Sequence, residues 1–168
     1  MPTRIFWFMF MGVTLGVCLF IFVSSESLPP NVASKFDSAG VASGQMSREN
    51  YRNLMVGTVL FLAAIHGLIF WLVRRLPESV INLPNKELWL SPKNRDQTMQ
   101  YVTHWGIAMG SVMVIFFAAI HASVIAAHRV TPPAMSNTVM TTLLGGIGLL
   151  VSVMVLDLVR RFRLPNQK

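Results

Sequence analysis

Two histidines stand where chemistry would be expensive to place. His66 closes the run Phe61-Leu62-Ala63-Ala64-Ile65-His66, and His121 closes its echo, Phe116-Phe117-Ala118-Ala119-Ile120-His121. Each lies eight residues before an arginine, Arg74 and Arg129. Both runs are apolar, and an ionisable side chain at membrane depth is a functional candidate by default. A pair of imidazoles on antiparallel helices is the donor set that holds a haem b iron. Helix rise sets the levels: at about 1.5 Å per residue each His lies about 12 Å from opposite faces of a roughly 30 Å core. That leaves an offset of about 6 Å where axial ligands of one haem should be nearly level, which argues against shared ligation. The haem-bearing electron carrier is therefore an alternative resting on His66 and His121 alone.

His121 and His128 share a helix face but stand about 10.5 Å apart along it, too far for one metal ion without an added ligand. The apolar runs offer no acidic partner at depth for a proton path. Neutral histidines bonded to a backbone carbonyl, or to a Thr or Ser such as Thr58, Ser111 or Ser123, are the simpler expectation. Cys18 is the single cysteine, so neither an internal disulfide nor a cysteine metal site can form. The chain has no P-loop, no HExxH and no nucleophile with a base beside it in sequence. No enzyme activity is expected.

The elements that must position these residues are apolar runs at 5–23, 54–73, 105–127 and 139–159, each long enough to span a bilayer. Only 12% of the 168 residues are charged, against roughly 25% in soluble domains. The reading is a single all-α transmembrane domain over 1–168, a four-helix bundle. The nineteen-residue run 5–23, apolar but for Thr14, exceeds the h-region of a secretory signal, so a retained first helix is expected.

Net charge is +7, and ten of the 14 Lys/Arg fall on one side. They are Arg4, Arg74, Arg75, Lys86, Lys93, Arg95, Arg160, Arg161, Arg163 and Lys168. The positive-inside rule then gives N-terminus in and C-terminus in, with 24–53 as outer loop and 74–104 as cytoplasmic loop. Trp7, Trp71 and Trp105 fall at the inner interface. Anionic headgroups account for the basic charge without nucleic acid. The expected location is a bacterial inner membrane, crossed several times.

Small residues mark packing seams: Gly12 with Gly16, Ala63 with Gly67, Gly106 with Gly110, and Ala118 with Ala122. The repeated FxAAIH in antiparallel spans also suggests an inverted repeat, a form common in transporters. In the outer loop, Pro29-Pro30, Gly40 and Gly44 indicate a turn-rich segment, neither helix nor strand. Ser47 before Arg48-Glu49 predicts an N-cap, so the second helix starts outside lipid. Ser91-Pro92 predicts the start of the third helix. Leu88-Trp89-Leu90 is expected to pack on the bundle's own inner end, and Asp157 to pair with Arg160 or Arg161.

The segment LPPNVASKFDSAGVASGQMSRENY, a seventh of the chain, resembles the opening motif of a bacterial domain of unknown function. That domain is shared with membrane immunity proteins that protect against a sporulation-delaying toxin. Leu28, Pro29, Val32, Ala33, Phe36, Gly40, Gly44, Ser47 and Arg48 carry the resemblance. The family usually has His where this chain has Lys35, and its immunity members are longer, with further helices. The resemblance implies a membrane domain more than an activity. The functional expectation is a non-catalytic accessory or immunity-like subunit, bound to other membrane proteins and open to a cytoplasmic partner at 74–104. A small transporter or channel subunit is the alternative from another class.

Overall fold

The four apolar runs each fold as one helix, and the helices extend past the runs that nucleate them. The computed structural model describes residues 3–163. In order these are α1 (Thr3–Ser24), β1 (Asn31–Phe36), β2 (Ala42–Ser47), α2 (Arg48–Val73), α3 (Lys86–Trp89), α4 (Arg95–Ala127) and α5 (Asn137–Arg163). Met1, Pro2 and 164–168, with Lys168 among them, lie outside the described residues. α1, α2, α4 and α5 are all long and apolar enough to cross a membrane. With 33 residues, α4 would reach about 50 Å at 1.5 Å per residue, so part of it stands clear of a hydrocarbon core.

Three of these helices share one core. α1 buries Phe10, Thr14, Val17 and Ile21, a stripe at i, i+4, i+7 and i+11. α2 contributes Tyr51, Met55 and Val59, and α4 contributes Ile107, Val114 and Val124. Of the long helices α5 packs mainly beside α4, and Phe162 is its one buried residue among those described. The four-helix bundle is thus a three-helix core with a flanking fourth helix.

The C-terminal half of α5 is held by polar contacts. Trp105 Nε1 donates to Met154 O at 3.0 Å, and Trp89 Nε1 donates to Phe162 O at 3.2 Å. Asn85 Nδ2 donates to Phe162 O and Arg163 O, both at 3.2 Å, satisfying carbonyls that a helix end leaves free. Trp89 and Leu90 are buried there, so two residues of the apolar triplet pack on the bundle's own end, whereas Leu88 is exposed. Asp157 differs from expectation. It accepts from the Tyr101 hydroxyl at 2.7 Å, a partner on α4 in place of the following arginines of its own helix.

The segment between α1 and α2 carries a hairpin, which corrects the turn-only reading. Asn31 pairs with Ser47, Val32 with Met46 and Ala33 with Gln45, before a bulge shifts the register to Lys35 with Gly44 and Phe36 with Ala42. The strands are rich in Ala, Ser and Gly, weak strand formers, and the bulge breaks the alternation that would reveal them. The turn does carry its own signal. Asp37 Oδ1 accepts from the amides of Ala39 and Val41, both at 2.9 Å, and Gly40 takes φ +80°. A second correction concerns α4, which starts at Arg95. Ser91 instead closes a turn, its carbonyl accepting from the amides of Asn94 and Arg95. Ser47 caps α2 as expected, its hydroxyl accepting from Asn50 N at 3.2 Å.

Candidate functional site: the hairpin-capped end of the bundle

At the hairpin end, α1, α2 and α4 each bring one polar side chain to a common point. Ser24 ends α1, Tyr51 lies in the first turn of α2, and His121 lies near the end of α4. His121 is fully buried, with Nδ1 2.9 Å from the Tyr51 hydroxyl and Nε2 2.9 Å from Ser24 Oγ. Its ring stacks on Tyr51 at 5.7 Å and meets Phe20 edge-on at 5.5 Å.

Ser24 Oγ also lies within reach of its own helix carbonyl at Phe20. One proton arrangement satisfies every group. Tyr51 donates to Nδ1, Nε2–H donates to Ser24 Oγ, and the Ser24 proton goes to the Phe20 carbonyl. The reverse order would strand the tyrosine proton in a buried setting. A serine beside a histidine at this distance has the outline of a nucleophile and base. In the arrangement that satisfies every group the imidazole donates to the hydroxyl, and in that tautomer it does not take the serine's proton.

His128, two turns past His121 and its neighbour on the same face by spacing, fastens the hairpin. Its Nδ1 donates to Val124 O at 2.8 Å, which leaves Nε2 free to accept the Ala33 amide at 3.0 Å. The other end of the hairpin is tied to the chain between α4 and α5. Met135 N donates to Gly40 O at 2.7 Å, and Ala42 N donates to Pro133 O at 3.1 Å. A Cβ on Gly40 would collide with the Met135 carbonyl, so glycine is needed for closeness as well as conformation.

Arg48 completes the clamp. Its Nη1 donates to the carbonyls of Glu26 and Leu28, each at 3.1 Å, while its own amide donates to Pro30 O at 2.9 Å. Arg52 pairs with Glu26 at 2.9 Å and lies over the Phe22 ring at 4.6 Å. Of the residues carrying the family resemblance, Leu28 just before the hairpin and Val32 and Ala33 on β1 are buried, whereas Pro29 and Ser47 are exposed. Phe36 and Gly44 are half-buried, and Gly44 faces the aliphatic stem of Lys35.

His66 is elsewhere. Its Nδ1 bonds Leu62 O of its own helix at 2.8 Å, and its ring lies against Gly110. From Gly110 to His121 is 11 residues of α4, about 16 Å along the axis. That exceeds the expected offset and is incompatible with two axial ligands of one haem. Both nitrogens of His121 are also engaged. The pairing of His66 with His121 as a haem site is corrected on these grounds.

The small-residue seams divide as sharply. Gly106 takes the tip of the Phe70 ring, and a Cβ there would fall inside that ring. Gly110 receives Phe10 and His66 within 3.2 Å of a Cβ position, and Gly67 lies 3.7 Å from Trp7 by the same measure. Ala63 and Ala118 pack against the core. Gly12 and Gly16 face outward with nothing within 4 Å, and Ala122 is exposed. None of the three forms a packing seam here: the buried stripe of α1 runs through Thr14 and Val17, and α4 turns His121 and Val124 inward in place of Ala122.

Sequence reading missed Ser24 and Tyr51 as partners of His121. The available signal was position: a tyrosine four residues past the Ser47 cap, on the first turn of a helix that must meet α4. Comparison of the chain with protein-family models, curated proteins and solved structures found no match.

Proposed function

We propose that this chain is a non-catalytic integral membrane interaction protein, an accessory or immunity-like subunit whose working surface is the hairpin. Its carrying observation is the clamp from beneath: His128 on Ala33, Arg48 on Glu26 and Leu28, and Met135 on Gly40. A short hairpin alone is marginal in water. One fixed on a helical core presents its outer residues, Lys35, Ser43 and Gln45, in a preset arrangement that lowers the ordering cost of binding. In this proposal the charge asymmetry sets the hairpin outside and the basic end in the cytoplasm of a bacterial inner membrane. The resemblance of 28–51 to the immunity-associated domain falls on this same element.

The transporter reading gains no support from the two FxAAIH copies. His66 bonds its own helix and His121 joins a buried network, so the copies do not occupy equivalent places. The cytoplasmic loop uses Trp89 and Leu90 internally, which favours the hairpin over 74–104 as the partner surface. The test is native purification in mild detergent from the source membrane, with mass spectrometry of stoichiometric companions. Companions present with the wild-type chain and lost with Lys35→Glu/Gln45→Glu support the proposal. A wild-type chain that is always recovered alone refutes it.

A further inference from the structure

At the end of the bundle opposite the hairpin, α1 and α2 leave a groove on the lipid-facing surface. Its apolar part, about 450 Å³ and shallow, is lined by Trp7, Gly67, Leu68 and Trp71. The next part, about 370 Å³, is lined by Trp7, Phe70, Trp71, Arg74 and Arg75. Trp7 and Trp71 border both, so the two are one groove that passes from apolar to doubly cationic. From Gly67 to Arg75 the change takes about 12 Å of helix.

The cationic part is ordered by Trp71. Arg75 lies over the Trp71 ring at 3.6 Å, and its Nη1 donates to Trp71 O at 3.4 Å. Among the described residues neither Arg74 nor Arg75 has a carboxylate partner. Glu78, the nearest acid in the following loop, is paired with Arg95 at 3.6 Å. Leu68 and Trp71 are exposed, so the apolar part faces the hydrocarbon region that the helices cross.

We infer that this groove is a binding site for one anionic phospholipid. An acyl chain lies along Trp7, Gly67 and Leu68, and the phosphate is taken by Arg74 and Arg75. The chemistry matches at both ends. Guanidinium forks bind phosphate oxygens in pairs, and indole rings sit at the headgroup level with one apolar flank and one polar edge. A diffuse basic surface would draw anionic lipid without a seat for its chain; the groove supplies the seat.

The experiment is native mass spectrometry of the full chain released from micelles supplemented with phosphatidylglycerol or phosphatidylcholine, and with inorganic phosphate as a competitor. The wild-type chain retains one phosphatidylglycerol in preference to phosphatidylcholine, and inorganic phosphate does not displace it. Arg74→Gln/Arg75→Gln weakens retention by roughly tenfold or more. Gly67→Leu, which fills the apolar part and leaves charge unchanged, also weakens it, whereas Lys86→Ala/Lys93→Ala changes it less than about twofold. Equal losses from the two double variants would reduce the site to diffuse charge and overturn the inference. So would retention indifferent to Gly67→Leu, or full displacement by inorganic phosphate.

Discussion

The Tyr51 hydroxyl lies 2.9 Å from Nδ1 of His121, joining the first turn of α2 to the far end of α4. Through Nε2 the same ring reaches Ser24 at the end of α1, so one imidazole ties all three core helices where the hairpin begins. Its value is positional. Three helices that could slide past one another along apolar seams are set level at this point, and the hairpin rests on the level so defined.

Tyr51→Phe leaves the stacked ring in place and removes the donor to a buried nitrogen. A loss of about 1–2 kcal/mol is expected, as for an unsatisfied buried acceptor or a lost interhelical bond in a membrane. Thermal unfolding in detergent measures it. Combining Tyr51→Phe with His121→Leu should cost less than the sum of the two single changes, because the second removes the group that the first strands. Additive losses would mean that the two residues act separately.

His128→Phe should free the hairpin while sparing the helices. The Ala33 amide then has no acceptor, and its hydrogen exchange rises together with that of its neighbours in the hairpin. His128→Gln keeps an acceptor oxygen on a side chain of similar length, so it should restore part of the protection. Unchanged exchange in His128→Phe would show that the clamp does not depend on this bond.

How much of this was legible in advance differs from element to element. The spans and the Ser47 cap follow from local rules, hydrocarbon length and one hydroxyl before a helix, and these hold whatever the tertiary structure does. The shared face of His121 and His128 also followed from spacing. The identity of their partners did not, since it depends on how far α2 is shifted against α4, and no local pattern sets that register. The hairpin was hidden because Ala, Ser and Gly strands with a bulge lack both propensity and alternation; their pairing comes from the clamp beneath them. Gly12 and Gly16 gave a motif without a contact, since spacing alone does not say which face of α1 turns inward.

That distinction among glycines is measurable. Gly106→Ala puts a methyl group where the Phe70 ring sits, and a cost of about 1–3 kcal/mol is expected for such overpacking. Shortening the ring partner, Gly106→Ala/Phe70→Leu, should recover a good part of it. Gly12→Ala and Gly16→Ala meet open space and should stay within about 0.5 kcal/mol of the wild type. The same detergent melts decide all three.

Trp89→Ala should release the C-terminal end of α5 from the loop before α4. It removes the edge-to-face contact with Phe162 at 5.5 Å together with the indole bond to Phe162 O. Faster tryptic cleavage at Lys86 and Lys93 is the expected readout, with the hairpin's exchange unchanged. Slower or equal cleavage would mean that α5 is held chiefly elsewhere.

In the proposed function the clamped hairpin is a surface for another protein. Native purification of the chain from its source membrane, wild type beside Lys35→Glu/Gln45→Glu, tests it most directly. Companions in fixed ratio with the wild type are expected, together with their loss from a variant whose melting temperature is unchanged. Companions retained in full by that variant, or a wild-type chain recovered alone, would contradict it.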